Sequence, residues 1–269
     1  LCYTSGTTGM PKGVLYSHRS LVLHSFAVAA SGMVAPDDIG MPVVPMFHVN
    51  AWGIPYAAAL SGTPLVFGGP VFDGPGLFQL MDGEAVTCAQ GVPTLWMGLV
   101  AEMRAQGRKP RALRHVVVGG AAVSESMIRA FEDDFGVEVH HAWGMTETAP
   151  LGTINRLTQK FQTAPRDVQV RQKLKQGLPA FGVEIRIVDA QGHCLPHDGV
   201  AQGHIQVRGP WVIKSYFKDV VSPLTEAEAL TAISAAPAMQ PTAWRPAFAA
   251  IEGRAWPAST RALPCATSR

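Results

Sequence analysis

The segment Tyr3–Val14 combines side chains that favour phosphate binding. Its glycines permit backbone conformations closed to other residues, so amide N–H groups can converge on phosphate oxygens. A Walker A loop is excluded because its lysine directly follows a glycine and precedes Ser or Thr. A flexible Ser/Gly linker is the competing interpretation. The donors and glycines of the segment are Thr4, Ser5, Gly6, Thr7, Thr8, Gly9, Lys12 and Gly13.

The elements that must position this loop follow an α/β rhythm over residues 1–150. Leu113–Val118 is an apolar run that predicts a buried strand, and the following Gly119–Ala122 predicts a tight turn. Ser124 is placed to cap a helix through Phe131. A further short strand is predicted at Val137–His141. We therefore assign 1–150 to a partial α/β unit.

The second part of the chain, 151–218, has a different pattern. Residues 181–190 and 203–209 alternate apolar with polar side chains, which predicts half-buried antiparallel strands of a smaller β unit. Residues 219–269 are rich in alanine and interrupted by proline, and they predict neither a long helix nor a strand. We expect this tail to be disordered or to derive from a frameshift.

The amino-acid composition and the net charge limit the classes of protein to which this chain can belong. The 269 residues are 47% hydrophobic and 16% charged, which is typical of a globular protein with a sizeable core. The formal net charge of +2 gives no reason to expect a nucleic-acid partner. No apolar run is long enough for a transmembrane segment, and no signal peptide is visible. We expect a cytoplasmic protein, with peripheral membrane contact left open.

Three motifs in sequence order carry a family resemblance. Tyr3–Val14, Gly119–Ala121 and His141–Thr148 resemble the signature segments of the adenylate-forming superfamily, which includes acyl-CoA synthetases. Val44–Gly53 is similar to the gate motif of medium- to long-chain fatty acyl-CoA synthetases. The segments Arg208–Trp211 and Ser215–Phe217 resemble the last motif of that family's large domain. The resemblance covers residues 1–218 and implies a fragment of a layered α/β large domain. Within it, the resemblance implies that the 1–150 unit binds nucleotide and acyl group.

The resemblance implies a reaction in which a fatty acid attacks ATP to give an acyl-adenylate, which coenzyme A then captures. It implies Mg²⁺ held by Glu147 and Thr4, and catalytic contacts from Lys12, Thr146 and Glu147. The phosphate loop, the Gly119–Ala121 turn and Trp143 would contact the nucleotide. The full set of implied nucleotide-binding residues is Thr4, Ser5, Gly6, Thr7, Thr8, Gly9, Lys12, Gly119, Gly120, Ala121, His141, Ala142, Trp143, Gly144, Met145 and Thr146.

The same resemblance implies a substrate gate formed by His48, Val49 and Trp52, between the acyl tunnel and the nucleotide. Trp143 has a competing interpretation as an ordinary core aromatic. The paired carboxylates Asp37–Asp38 and Glu132–Asp134 are expected to be solvated turn and helix faces without a chemical role.

Several alternatives stay open at this stage. The substrate can be another carboxylic acid, or the chain can be a non-catalytic remnant that at most binds nucleotide. The expected partners are small molecules, namely fatty acid, ATP and coenzyme A, and a homodimer is conceivable in an intact parent enzyme. We also expect the chain to be the middle of a longer enzyme, because the family's later motifs are not legible after Phe217.

Overall fold

The computed structural model describes residues 1–4, 10–70 and 72–218, together with the backbone of strand 231–233. The predicted tail 219–269 therefore lies outside the described residues, apart from that strand. The strands are β1 (Cys2–Tyr3), β2 (Gly13–Val14), β3 (Gly40–Pro42), β4 (Cys88–Gly91), β5 (His115–Val118), β6 (Glu138–Gly144), β7 (Leu151–Asn155), β8 (Leu178–Pro179), β9 (Glu184–Val188), β10 (His204–Arg208) and β11 (Thr231–Ile233).

Helices connect these strands and flank the larger sheet. A π-helical turn, Ala130–Asp134, extends the sixth helix, and a short 3₁₀ turn, Thr146–Thr148, follows β6. The α-helices are α1 (His18–Ala30), α2 (Val49–Trp52), α3 (Ile54–Ser61), α4 (Gly74–Gly83), α5 (Pro93–Gln106), α6 (Glu125–Arg129), α7 (Gln159–Gln162) and α8 (Arg166–Lys173).

The main sheet has six strands in the order β3-β4-β5-β6-β7-β8. The first four strands are parallel, β7 pairs antiparallel with β6, and β8 pairs antiparallel with β7. Strands β9, β10 and β11 form a separate antiparallel sheet, and β1 pairs with β2 as a hairpin. Because four parallel strands end at one edge, the loops after them meet there, where open α/β sheets bind ligands.

Two apolar cores cover the two faces of the main sheet. Val116 and Val118 point into one core with Trp96 and Phe131, on the side of α4, α5 and α6. Val117, between them, points into the other core with residues of α1, α3 and the separate sheet. This alternation along β5 shows why the run is apolar without interruption: both faces of the strand are buried. The α/β fold class is confirmed.

Local signals in the sequence explain several element boundaries. The Ser124 hydroxyl accepts a hydrogen bond from the Met127 N–H at 3.2 Å, so Ser124 caps α6 as predicted. The strands predicted near 113–118, 137–141, 181–190 and 203–209 are β5, β6, β9 and β10. The main sheet continues past residue 150 through β7 and β8, and the separate sheet begins at β9. The domain boundary at residue 150 stays a prediction.

Trp96 provides a test of the first core. Its side chain is fully buried, its Nε1–H donates to the Val117 carbonyl at 3.2 Å, and its ring meets Phe131 edge-on. We expect Trp96→Ala to lower the free energy of unfolding by about 3 to 5 kcal/mol, since it leaves a cavity and removes a buried hydrogen bond. Urea denaturation measures this. The neighbouring Met97, which is 60% exposed, supplies the control: Met97→Ala should change stability by less than about 1 kcal/mol.

Candidate functional site

The β1–β2 hairpin closes the base of the predicted phosphate loop. The Thr4 N–H donates to the Lys12 carbonyl at 3.0 Å, and the Lys12 N–H donates to Thr4 Oγ1 at 3.0 Å. The Phe217 N–H donates to the Gly13 carbonyl at 2.7 Å, which fixes the hairpin to the end of the Ser215–Phe217 segment. Ser5, Gly6, Thr7, Thr8 and Gly9 lie outside the described residues.

Glu147 lies at the centre of the site. Its side chain is in the 3₁₀ turn after β6 and is 5% exposed. The Tyr216 hydroxyl donates to Glu147 Oε1 at 2.6 Å, and the Ile213 N–H donates to the Glu147 carbonyl at 3.0 Å. The ammonium of Lys12 lies 4.8 Å from the centre of the Tyr216 ring. Tyr216 therefore joins the lysine of the hairpin to the carboxylate of the turn.

Tyr16 fixes the same turn from the other side. Its hydroxyl donates to the Thr146 carbonyl at 2.5 Å. Burial raises the pKa of Tyr16 above its usual range, and the nearby Cys2 and Glu147 add to the effect. The hydroxyl stays protonated at physiological pH and remains a donor. Tyr16 and Tyr216 thus hold Thr146 and Glu147 in one geometry.

The turn after β5 packs against the predicted gate. A Cβ on Gly119 would lie 3.0 Å from Trp52 Cη2 and 3.3 Å from the Ala142 carbonyl oxygen. Gly120 adopts φ +76° and is exposed, as is Ala121. Since a side chain at Gly119 would crowd Trp52, the glycine lets the indole lie directly against the turn. The ring of Trp52 is 8% exposed and belongs to the second core.

The gate segment has an unusual backbone. Val49, Asn50, Ala51 and Trp52 have φ of 50°, 53°, 49° and 58°, a left-handed turn of four residues. Each such residue costs about 1 to 2 kcal/mol for a side chain other than glycine. The Cys2 thiol donates to Asn50 Oδ1 at 3.6 Å, which ties the turn to the hairpin. Val49 is buried and His48 is exposed, so the predicted gate residues face different environments.

The end of β6 is packed too tightly for larger residues. A Cβ on Gly144 would lie 1.7 Å from the Pro150 carbonyl oxygen, so only glycine fits. Trp143 is half-buried, and its ring lies against Gly152 of β7. His141 is buried, with Nδ1 3.2 Å from the Lys175 carbonyl oxygen, and burial lowers its pKa. His141 is thus a packed strand residue behind the turn.

The structure brings some predicted residues together and separates others. Lys12, Thr146 and Glu147 converge through Tyr16 and Tyr216. Trp52 meets Gly119 and Gly120, whereas His48 is exposed. His141 is buried in β6, where it pairs in register with Val118, the residue before Gly119. Ala142 and Met145 flank Trp143 and Gly144 along the same chain segment.

Sequence reasoning missed Tyr16 and Tyr216 as site residues. Tyr216 lies in a segment that the motif comparison singled out, but its role depends on a contact with Glu147, 69 positions away. The expectation of solvated carboxylates was wrong for two residues. Asp38 is 3% exposed, and its carboxylate accepts hydrogen bonds from Thr87 and Arg114. The Glu132 side chain is 12% exposed and pairs with the buried Lys173. The sequence-distant partners of Asp38 account for its burial.

His24 of α1 packs between the end of the gate segment and the start of β7. It is fully buried, and its Nε2 accepts a hydrogen bond from the Leu151 N–H at 3.2 Å. Its ring meets Trp211 edge-on, and a Cβ on Gly53 would lie 2.6 Å from His24 Cε1. Burial lowers the pKa of His24 to about 4. The imidazole is therefore neutral and serves as an acceptor.

The sequence matches a known protein family over most of its length. The family model described as AMP-binding enzyme matches residues 1–217. The chain belongs to the AMP-binding enzyme family. The family prediction made from the motifs is therefore confirmed.

Relatives within the AMP-binding enzymes include several CoA ligases. The chain is 53% identical over 220 residues to 3-methylmercaptopropionyl-CoA ligase of Ruegeria lacuscaerulensis, covering 81% of this chain and 41% of that protein. It is 52% identical to a medium-chain-fatty-acid–CoA ligase of Ectopseudomonas oleovorans, covering 81% and 40%. The chain thus spans about two fifths of the length of the curated relatives it matches.

A solved AMP-binding enzyme shares the fold. O-succinylbenzoate coenzyme A synthetase of Bacillus subtilis, in complex with ATP and magnesium ion, matches with a TM-score of 0.69 at 27% identity, covering 81% of this chain and 42% of that one. Across the described part of the present chain, no helix combines the length and the apolar character that a bilayer span requires.

The buried His24 predicts an acid-dependent stability. An ordinary His binds a proton near pH 6.5 when unfolded, whereas His24 binds one only near pH 4 when folded. The unfolded state therefore binds more protons between these values, so stability falls as the pH drops from about 6.5 to about 4, by up to about 3 kcal/mol. Wild type loses this stability as the pH falls, and His24→Gln does not. The difference between their free energies of unfolding, measured by denaturant titration, should therefore shrink as the pH drops from about 6.5 to about 4.

The exposed His204 of β10 supplies the matched control. The gap between wild type and His204→Gln should stay constant over the same pH range. Parallel curves for wild type and His24→Gln would show that burial of His24 does not govern the acid response.

Proposed function

We propose that the chain forms the nucleotide- and acyl-binding part of an enzyme that activates a medium- to long-chain carboxylic acid with ATP and passes it to coenzyme A. The observation that carries the proposal is the cluster of Lys12, Tyr216 and Glu147. These residues come from three distant segments and meet at the carboxyl edge of the parallel sheet. An exposed cation beside a buried carboxylate is suited to a polyanion bound with a divalent metal.

The donor set fits magnesium. Glu147 offers a carboxylate oxygen and Thr4 a hydroxyl, and both are hard oxygen ligands of the kind that Mg²⁺ prefers. When bound, the ion would neutralise charge on the phosphate oxygens of ATP. The Tyr216 hydroxyl donates to Glu147 Oε1 at 2.6 Å and so orients the carboxylate. Thr146, fixed through its carbonyl by Tyr16, would place its hydroxyl towards phosphate.

In the proposed reaction a carboxylate oxygen of the acid attacks the α-phosphorus of ATP. The bond to pyrophosphate breaks, pyrophosphate leaves with its electron pair, and an acyl-adenylate remains. The thiol of coenzyme A then attacks the acyl carbon and releases AMP. The chain's residues would mainly bind and orient: Lys12 would hold phosphate by charge, and the Gly119–Ala121 turn and Trp143 would contact adenine.

The gate residues support an alkyl substrate. Trp52 lies between the Gly119 turn and the second core, so movement of its ring would open apolar space beside the nucleotide site. The 53% identity to a 3-methylmercaptopropionyl-CoA ligase favours a second candidate, a short sulfur-containing acid. Both candidates share the adenylation chemistry and differ in the depth of the acyl pocket.

The nucleotide part of the proposal predicts separate roles for Glu147 and Lys12. Calorimetric titration with ATP and Mg²⁺ should give affinities about 10- to 100-fold weaker for Glu147→Gln and Lys12→Met, the loss of one charge-assisted contact each. Without Mg²⁺, the effect of Glu147→Gln should disappear and that of Lys12→Met should remain.

Two matched controls accompany this titration. Lys160 is an exposed lysine over the ring of Phe161, as Lys12 is over Tyr216, and Lys160→Met should leave ATP affinity unchanged. Glu184 of β9 is an exposed glutamate, and Glu184→Gln, the control for Glu147→Gln, should also leave ATP affinity unchanged. Equal losses in site and control variants would refute the assigned site.

The acyl part predicts a chain-length trend. Non-hydrolysable acyl-adenylate analogues with C4 to C12 chains should bind with affinity that rises by up to about 0.8 kcal/mol per buried methylene, until the pocket is full. Titration of the 3-methylmercaptopropionyl analogue tests the second candidate. If that candidate is right, this analogue should bind at least as tightly as the octanoyl analogue. Trp52→Ala should change the affinity for the longer analogues more than the affinity for AMP alone. Equal affinities across the chain-length series would contradict an alkyl pocket.

A further inference from the structure

The opposite, amino edge of the parallel sheet carries a buried cluster with a different chemistry. Asp38, Cys88 and His115 place a carboxylate oxygen, a thiol sulfur and an imidazole nitrogen within 4.8 Å of one another. Asp38 and Cys88 are buried and His115 is partly buried. We propose that these three side chains form a binding site for a borderline-soft divalent cation of the zinc type, separate from the nucleotide site.

Backbone pairing fixes the positions of the three donors. Cys88 begins β4 and pairs in register with His115, the first residue of β5. Gly40 of β3 pairs with Cys88 on the other side, and Asp38 precedes Gly40 by two residues. Paired residues on adjacent strands project from the same face, so the thiol and the imidazole are neighbours by construction. The sheet therefore presents the donors on three adjacent chain segments.

His115 has an unpaired ring nitrogen. Its Nε2 is buried and has no hydrogen-bond partner among the described residues. Burial and the neighbouring His140, whose ring stacks on it at 4.9 Å, lower the pKa of His115 to about 4. The imidazole is therefore neutral at pH 7. An unpaired buried nitrogen is costly unless something occupies it, and a cation would satisfy it.

Asp38 retains capacity for a ligand. Its Oδ1 accepts from the Thr87 hydroxyl at 2.6 Å and from Arg114 at 2.7 Å, while Oδ2 accepts from the Ala35 N–H at 2.9 Å. A carboxylate has about four lone-pair directions, so one stays open on Oδ2. The Arg114 charge opposes a cation, but its side chain is 49% exposed and also pairs with Asp37, where water screens it.

The mixture of donors selects the cation. Mg²⁺ and Ca²⁺ prefer all-oxygen sites, whereas sulfur, nitrogen and oxygen together suit Zn²⁺ and Co²⁺. Tetrahedral bonds of about 2.0 to 2.3 Å place donors about 3.5 Å apart, so the side chains must close in by about 1 Å. On binding, the Cys88 S–H bond breaks, the proton leaves to water, and the thiolate forms the sulfur–metal bond. Water fills the fourth position.

Cobalt titration of the full, metal-stripped chain tests the site. Co²⁺ should bind one ion per chain and give a thiolate-to-cobalt charge-transfer band with intense tetrahedral visible bands, and Zn²⁺ should abolish both. Cobalt held by oxygen ligands near Glu147 would give neither, and Glu147→Gln should leave the spectrum unchanged. Cys88→Ser should remove the charge-transfer band. His115→Gln should weaken Co²⁺ binding at least about 100-fold, since even outer partners contribute 10- to 100-fold.

The controls are a second buried thiol among the described residues and an exposed imidazole. Cys2→Ser and His204→Gln should retain the spectrum and the affinity. Circular dichroism checks that each variant folds, and if Cys88→Ser does not, His115→Gln at the partly exposed position decides the question. Absence of saturable one-to-one binding, a charge-transfer band that persists in Cys88→Ser, or unchanged affinity in a folded His115→Gln would overturn the proposal.

Discussion

Glu147 imposes a strict physical requirement on this fold. A carboxylate that is 5% exposed loses most of its hydration, and an unpaired charge in that position would cost several kcal/mol. Tyr216 meets the requirement with a hydroxyl donor, and Tyr16 fixes the preceding carbonyl. The β1–β2 hairpin is attached to the same assembly through Phe217. Satisfying one carboxylate thus brings together segments from both ends of the described chain.

The gate turn and the Gly119 turn form a second set of coupled constraints. Four left-handed residues in succession are unfavourable, and they persist because surrounding contacts hold them. Trp52 packs on Gly119, Asn50 accepts from Cys2, and Gly53 lies against His24. The cost of this left-handed backbone is concentrated at the turn beside Gly119, where these contacts offset it.

Two clusters of polar side chains lie at opposite edges of the parallel sheet. At the carboxyl edge, the loops are rich in glycine and leave an exposed lysine above a buried carboxylate. At the amino edge, Asp38, Cys88 and His115 lie at the starts of the strands, where stability rather than catalysis is usually decided. The sheet separates these clusters, so a ligand at one edge can bind without displacing groups at the other.

The sequence alone determined the family, the α/β class and the existence of most central elements. Apolar runs ending in glycine, the Ser124 cap and the alternating pattern of β9 and β10 are local signals, and local signals depend on spacing along the chain. The tertiary structure alone placed Tyr216 on Glu147, buried Asp38 under Thr87 and Arg114, and set Trp52 against Gly119. Each of these contacts joins residues at least 48 positions apart, and pairing of adjacent strands and loops decides them. A carboxylate pair such as Asp37–Asp38 has the same local pattern whether solvated or buried, because its environment is supplied by distant strands.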